Sequence, residues 1–204
     1  RSTLFPYTTL FRSPDRVELR KMYDANRGMY TGEYEVERER VRADYMARQA
    51  DMLSEEVGRV LRAEVLRVVR RLEQDGPYRV LPGDWESQRP KLDAVAEAIV
   101  AGVEKSKGVR IPLPRVEIRD ASWLDRESVA ALPGIGSAVV RFGNNQAPFS
   151  EYAFQVKELG GMAALGLQAG VTEINAPAAD ASGNLYFFTI LSAREASAPE
   201  SMDE

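Results

Sequence analysis

Two apolar runs near the carboxyl-terminal end of the chain decide its fold class: VTEINAP at residues 171–177 and LYFFTILSA at residues 185–193. The second run is rich in aromatic and β-branched residues, which favour extended strands. Between the runs lies DASGN at residues 180–184, a cluster of turn-forming residues. Two strand patterns joined by such a turn predict an antiparallel β-hairpin.

A long helical pattern precedes this hairpin. Between Glu33 and about Glu73, apolar residues recur at the spacing that places them on one face of a helix. They are Val41, Tyr45, Met52, Val60, Val65, Val68 and Leu72. Unbroken, this helix would reach roughly 60 Å, which exceeds the width of a small domain. We expect a break at Gly58, because glycine inside a helix costs about 1 kcal/mol relative to alanine.

Shorter patterns occupy the rest of the chain. Pro112 and Pro114 confine the alternating stretch 110–120 to an extended or edge strand. Glycines and prolines predict a loop over residues 75–90. Helical periodicity predicts further helices over residues 15–30, 91–107, 123–132 and 148–156.

Together these patterns predict an α+β protein. A long helical arm over residues 14–76 is followed, over residues 77–198, by a small domain of helices and an antiparallel hairpin.

Sequence patterns at both ends of the chain lead to further predictions. LFPYTTLFRS at residues 4–13 matches, codon by codon, the translation of a widely used sequencing-library adapter, so we expect residues 1–13 to be an artefact. Ser201 and Glu204 have the spacing of a capping box, which predicts that residues 199–204 start a truncated helix. We therefore expect any targeting signal or membrane anchor to lie outside this fragment.

Composition narrows the possible functions. The chain is 44% hydrophobic and 28% charged, with a net charge of -4, which disfavours general affinity for nucleic acid. It contains no cysteine and no histidine, so it lacks thiolate ligands, the commonest metal ligand and the usual general base near neutral pH. We expect no catalytic residue, no metal and no cofactor.

The sharpest local motif is LPGIGSA at residues 132–138. It resembles the turn of helix-hairpin-helix modules, in which glycines expose backbone N–H groups to a nucleic-acid phosphate. On this alternative Gly134, Gly136 and Arg141 would bind phosphate, although GNN at residues 143–145 ends the apolar run that a second helix needs. A turn that only terminates a helix explains the same motif.

Aromatic residues near the hairpin form the second candidate site. Such residues line a groove for an apolar peptide or close a small core. Phe187 and Phe188 point to opposite faces of a strand, so one of them lies away from the core. The set consists of Tyr152, Phe154, Tyr186, Phe187 and Phe188.

Several segments are similar to one family when taken in order. They are VELRKMYDANRGMY at 17–30, PFSEYAF at 148–154, GVTEI at 170–174 and GNLYFFTI at 183–190. The chain resembles the periplasmic parvulin-type folding factors, the SurA and PpiD-like group. The first segment is similar to the helix before the isomerase domain of that family, and the others to its closing helix and hairpin.

The resemblance implies a function without catalysis. Tyr186 and Phe187 stand in the closing strand where active parvulins carry histidine, so no catalytic residue is carried over. It implies a chaperone-like domain of the cell envelope that binds extended or unfolded polypeptide, with isomerase activity lost. The alternatives are the nucleic-acid-binding module at 132–138 and a structural coiled-coil scaffold built on the 33–73 helix.

Overall fold

The structure, a computed structural model, describes residues 14–119 and 123–195. The predictions for residues 1–13 and for a helix starting at Ser201 lie outside these residues. The described chain combines helices with antiparallel strands, which confirms the predicted α+β class.

Two compact units make up the fold, and each combines two separate stretches of sequence. Of the described residues, unit 1 contains those up to Arg62 together with Leu92–Arg115. Unit 2 contains Ala63–Lys91 together with the described residues from Val116 onward. The division by sequence order, into an arm at 14–76 and a domain at 77–198, stays a prediction.

Unit 1 begins with helix α1, Arg16–Ala25. Its predicted start at Asp15 is confirmed: the Asp15 carboxylate accepts a hydrogen bond from the Glu18 N–H, and the Glu18 carboxylate accepts one from the Asp15 N–H. This capping box satisfies backbone donors that a helix leaves unpaired. After a short 3₁₀ turn at Arg27–Met29, the chain enters helix α2, Tyr34–Val69.

A cluster of buried side chains holds α1 against the start of α2. It contains Leu19, Met22, Tyr23, Tyr30, Tyr34 and Val41. Three tyrosine rings pack together, with the Tyr23 ring centroid 5.5 Å from that of Tyr30 and 5.6 Å from that of Tyr34. Val41, predicted on the apolar stripe of the long helix, is therefore already covered within unit 1.

Helix α4, Leu92–Lys107, packs on α2 in unit 1 at a close backbone approach. A Cβ atom on Gly102 would lie 2.8 Å from Cγ1 of Val60, so a side chain at position 102 would force the helices apart. Val60, Val95, Ile99 and Val103 are buried. The helix predicted over residues 91–107 is confirmed.

The expected break in α2 at Gly58 is wrong, because the helix runs unbroken for 36 residues. Buried neighbours explain this: Leu53, Val60 and Leu61 are each less than a tenth exposed. Burying one such side chain contributes about 1.5–3 kcal/mol, more than the cost of one glycine. Met52, expected on the buried stripe, is 46% exposed, and Leu53 takes the inward position.

Unit 2 contains short elements where a loop was predicted over residues 75–90. Strands β1, Gln74–Asp75, and β2, Tyr78–Arg79, form a small antiparallel hairpin, and Trp85–Gln88 form helix α3. The side-chain amide of Gln168 accepts a hydrogen bond from the backbone N–H of Arg79 at 2.9 Å and donates one to the backbone carbonyl of Arg79 at 2.8 Å. These partners are 89 residues apart in sequence, so local propensity could not reveal the hairpin.

A four-stranded antiparallel sheet is the centre of unit 2, and its strands lie in the order β4 (Asn145–Pro148), β3 (Val139–Phe142), β5 (Thr172–Ala179) and β6 (Leu185–Thr189). Strands β5, Thr172–Ala179, and β6, Leu185–Thr189, pair as predicted and confirm the carboxyl-terminal hairpin. Strands β3, Val139–Phe142, and β4, Asn145–Pro148, form a second hairpin that was not predicted.

Small residues of the inner strands pack beneath aromatic rings on one face of this sheet. Helices α5, Arg126–Ala130, and α6, Phe149–Tyr152, belong to the same unit. The buried cluster comprises Val129, Ala138, Val140, Phe149, Tyr152, Val156, Leu167, Ala176, Ala178 and Phe188. The predicted helices at 123–132 and 148–156 exist here in shortened form, the second continuing as a 3₁₀ turn at Ala153–Gln155.

The expected strand over residues 110–120 is wrong for its described part, because residues 110–119 form neither strand nor helix. Pro112 and Pro114 supply no backbone N–H to a ladder. With two donors missing, this stretch gains little from pairing, and it joins neither sheet of the described chain.

Replacing Gly58 with alanine tests why α2 tolerates a glycine. A Cβ atom at this position would meet only the flexible end of Arg62, at 3.4 Å. We expect Gly58→Ala to raise the free energy of unfolding by about 0.5–1 kcal/mol, the helix-propensity difference, as measured by urea denaturation. Gly102→Ala is the matched comparison: it gains the same propensity but meets the stiff Val60 side chain, so equal stabilisation by both variants would contradict this packing.

Candidate functional site

The LPGIG turn lies at the surface between α5 and β3. Gly134 has a φ of 76°, and Ile135–Ser137 form a single 3₁₀ turn. The chain then enters β3 at Val139, so a strand follows the turn where a helix-hairpin-helix module has its second helix. Arg141 is an exposed residue of β3.

Internal packing explains both glycines of this turn. A Cβ on Gly136 would lie 2.4 Å from the Ala130 carbonyl oxygen, and one on Gly134 would lie 2.5 Å from the Tyr186 hydroxyl. That hydroxyl donates to the Asp180 carboxylate at 2.8 Å. The structure thus brings Gly134, a candidate phosphate residue, against Tyr186, a candidate peptide residue.

Asp180 organises the turn between β5 and β6. Its carboxylate accepts hydrogen bonds from the N–H groups of Ser182 and Asn184, at 2.8 and 3.0 Å, as well as from Tyr186. Partial burial opposes ionisation, but the hydrogen bonds from Asn184 and Tyr186 outweigh it and lower the pKa of Asp180. The carboxylate therefore fixes the hairpin whose outer strand is β6.

The aromatic candidates divide between the core and the surface. Tyr152 and Phe188 are buried, and their ring centroids lie 6.2 Å apart. Phe154 and Tyr186 are partly buried against the same core. Phe187 is half-buried and points to the opposite face of β6. The five rings do not line one common groove.

Strand β5 carries a buried carboxylate that was not among the residues predicted from the sequence. Glu173 is 7% exposed, and its Oε1 accepts from the N–H groups of Asn175 and Ala176 at 2.6 and 3.1 Å. Tyr152 donates to Oε2 at 3.4 Å. Burial is the largest cause that raises the pKa of the Tyr152 hydroxyl, and the negative charge of Glu173 is the second. The hydroxyl therefore stays protonated and serves as a hydrogen-bond donor.

Glu173 sits where β5 departs from regular pairing. Glu173 pairs with Phe188 and Ala178 with Tyr186, so four residues of β5 lie opposite the single residue Phe187. Such a bulge leaves backbone donors without a cross-strand partner. The Glu173 carboxylate satisfies two of them, so its role here is to hold the bulge.

Strand β6 is one of the two outer strands of this sheet. The Asn184 carbonyl accepts from the Asp180 N–H at 3.1 Å, and the Ile190 carbonyl accepts from the Gly170 N–H at 2.7 Å. Residues of an antiparallel strand alternate between facing the partner strand and facing away, so every second residue presents its backbone outward. These residues are Leu185, Phe187 and Thr189.

Within residues 14–119 and 123–195, no strand pairs with this outward edge, since β6 ends the sheet order. Leu185 is 43% exposed, and Phe187 beside it is half-buried. The edge therefore combines free backbone donors and acceptors with apolar side chains on one face. This is the arrangement that an added strand requires.

An open cleft of about 590 Å³ in unit 2 is a second concave feature. Its walls are Val68, Arg71, Leu72, Glu73, Val80, Pro82, Trp85 and Gln88. The Trp85 indole N–H donates to the Gly170 carbonyl at 2.8 Å, so its one polar atom is already used. Because Arg71 and Glu73 carry opposite charges, these two residues favour neither an anionic nor a cationic ligand in the cleft.

Glu56 in unit 1 is the other buried carboxylate. It is 8% exposed and receives a bidentate hydrogen bond from Arg59, at 2.6 and 2.9 Å, and a further one from Ser106. The Arg59 and Ser106 hydrogen bonds lower the pKa of Glu56 to about 2. A carboxylate held this firmly as an anion acts as a structural acceptor rather than as a general base near neutral pH.

The described residues contain no cluster of three or more aspartate or glutamate side chains placed to hold a metal ion. Among the described helices, none is both long enough and apolar enough to cross a membrane. Comparisons with protein-family models, curated proteins and solved structures yield no match.

Gly136→Ala tests the packing account of the LPGIG turn. The added methyl group collides with the Ala130 carbonyl, so we expect a loss of roughly 1–3 kcal/mol in the free energy of unfolding, as for other overpacked sites. Thermal and urea denaturation measure it. Gly83→Ala is the control, since its Cβ would meet no atom within 4 Å. Full stability of Gly136→Ala would reject this account.

Glu56 predicts an acid-dependent loss of stability. Its pKa falls from an ordinary 4.5 to about 2 on folding, so its contribution is present above pH 4.5 and is lost as the pH falls towards 2. We expect the thermal unfolding midpoint of the wild type to drop more steeply with falling pH over this range than the midpoint of Glu56→Gln. The exposed neighbour Glu55, changed to glutamine, should behave as the wild type does; parallel curves for all three proteins would contradict the prediction.

Proposed function

We propose that this chain is a noncatalytic, parvulin-related folding factor that binds extended or unfolded polypeptide. The client adds as a strand along the outer edge of β6. The observation that carries this proposal is the outward direction of the backbone groups of Leu185, Phe187 and Thr189, with no strand of the described chain beside them.

Backbone recognition suits a binder of many unfolded clients. Main-chain hydrogen bonds are common to every polypeptide, so affinity gained at a strand edge does not depend on a specific client sequence. Leu185 and Phe187 add a preference for apolar side chains on one face of the added strand. The client class is therefore extended segments with alternating apolar residues.

The fold around the edge favours a fixed binding surface. Asp180 ties down the turn that precedes β6, and Phe188 anchors the strand in the core with its ring centroid 4.9 Å from that of Phe149. A preorganised edge loses little conformational entropy on binding. The α6 helix ahead of a closing hairpin is also the order of elements that the resemblance to parvulin-type factors predicts.

The cellular location follows from the resemblance and belongs to this proposal. We infer a cell-envelope or periplasmic protein. The alternatives have less support: the LPGIG turn leads into a strand, and the stripe residues Val41 and Val60 are already buried within unit 1.

Peptide binding to the full chain tests the proposal. An unstructured labelled peptide with alternating apolar residues should bind, as measured by fluorescence anisotropy. The same peptide N-methylated on the amides that face the edge should bind at least about tenfold more weakly, because each lost hydrogen bond costs about 1 kcal/mol. Equal binding of both peptides would exclude strand addition.

Two variants show which edge is used. Leu185→Pro removes an outward N–H from the first residue of β6, a position where proline is tolerated, and should weaken binding. Gln146→Lys changes the opposite edge strand, β4, and should leave it unchanged. The wild type should also slow the aggregation of a reduced, unfolding model protein; failure to bind peptide and to slow aggregation would refute the proposal.

A further inference from the structure

We propose that, without a client, the β6 edge pairs with β6 of a second copy of this chain. The two sheets then join about a two-fold axis into one continuous sheet. Competition between this pairing and client binding rests on the proposed function.

The two edges of the sheet differ in how they are protected. Strand β4, with the sequence NQAP, contains Pro148, which has no N–H to offer an approaching strand. Strand β6, with the sequence LYFFT, contains neither proline nor a charged residue. Natural sheets usually block a free edge with such residues because an unblocked edge recruits another strand. Of the two edges of this four-stranded sheet in the described chain, β6 is therefore the one left open to pairing.

The sequence of β6 is compatible with itself in the antiparallel direction. With the axis at Phe187, the outward N–H and C=O of Phe187 meet those of Phe187 in the second copy, forming a hydrogen-bonded pair. Leu185 then lies opposite Thr189 of the second copy, on the same face. No charged residue meets a like charge, so a two-fold, self-complementary interface forms without electrostatic cost.

Other peptides compete directly with this pairing. A client and a second copy use the same outward groups of Leu185, Phe187 and Thr189, so each excludes the other. Raising the protein concentration fills the edges with copies of the chain, whereas adding client releases monomers. Linkage then requires that client binding weakens as the dimer forms.

Charge variants at the axis test both the surface and its register. Analytical ultracentrifugation of the full chain over a range of concentrations should give a concentration-dependent dimer. Phe187→Lys and Phe187→Glu should each remain monomeric, because like charges then face each other across the axis. An equimolar mixture of the two variants should regain the dimer, since lysine now faces glutamate. Gln146→Lys on β4 should dimerise as the wild type does.

A measurement on the unaltered chain covers the case in which a charge variant fails to fold. Amide hydrogen exchange at Leu185, Phe187 and Thr189 should slow as the protein concentration rises, while the already paired amides of β5 keep their rates. Unchanged exchange at all three outward amides, or a dimer that survives both charge variants, overturns the inference.

The outcomes separate this inference from the proposed function. A wild-type chain that is monomeric at every concentration but binds peptide overturns self-pairing and leaves the proposed function standing. A dimer that is lost in both charge variants and restored in their mixture, but binds no peptide, supports self-pairing and refutes the proposed function. Dissociation of the dimer by the peptide, but not by its N-methylated form, supports both.

Discussion

The antiparallel pairing of β5 with β6 is the interaction on which unit 2 depends. Its register directs Phe188 into the core and Phe187 to the opposite face. The same ladder directs alternate backbone groups of β6 inward to β5 and outward to the sheet edge. Core packing and the candidate binding surface are therefore two consequences of one pairing. A one-residue shift in the register of β6 would turn Phe187 towards the core and Phe188 away from it.

Two carboxylates stabilise this pairing where its regular geometry fails. Asp180 accepts backbone hydrogen bonds in the turn, and Glu173 accepts them in the bulge. Buried donors without partners cost roughly 1–3 kcal/mol each, so Glu173 permits a strand that departs from ideal pairing. The hydrogen bonds that Asp180 accepts lie in the exposed turn and fix its conformation. Acidic residues in a chain without histidine thus serve the fold, although their residue type alone is also compatible with catalysis.

Much of the architecture was accessible from local patterns. The helix that starts after Asp15 and the aromatic run of β6 were predicted because each involves residues close in sequence. The β3–β4 hairpin was missed although it has a local signal: Gly143, with a φ of 57°, occupies the first position of a two-residue turn between VVRF and NQAP. Glycine at that position is typical of a tight hairpin, whereas GNN at residues 143–145 was interpreted only as the end of an apolar run.

Sequence alone determined the α+β class, the long helix and the carboxyl-terminal hairpin, because periodicity and turn residues act over a few positions. Only the tertiary structure decided that α2 continues through Gly58, that Tyr152 is a core donor to Glu173, and that β6 is the sheet edge. Each of these depends on contacts between residues distant in sequence. Burial and strand order are properties of the folded whole, so no local pattern encodes them.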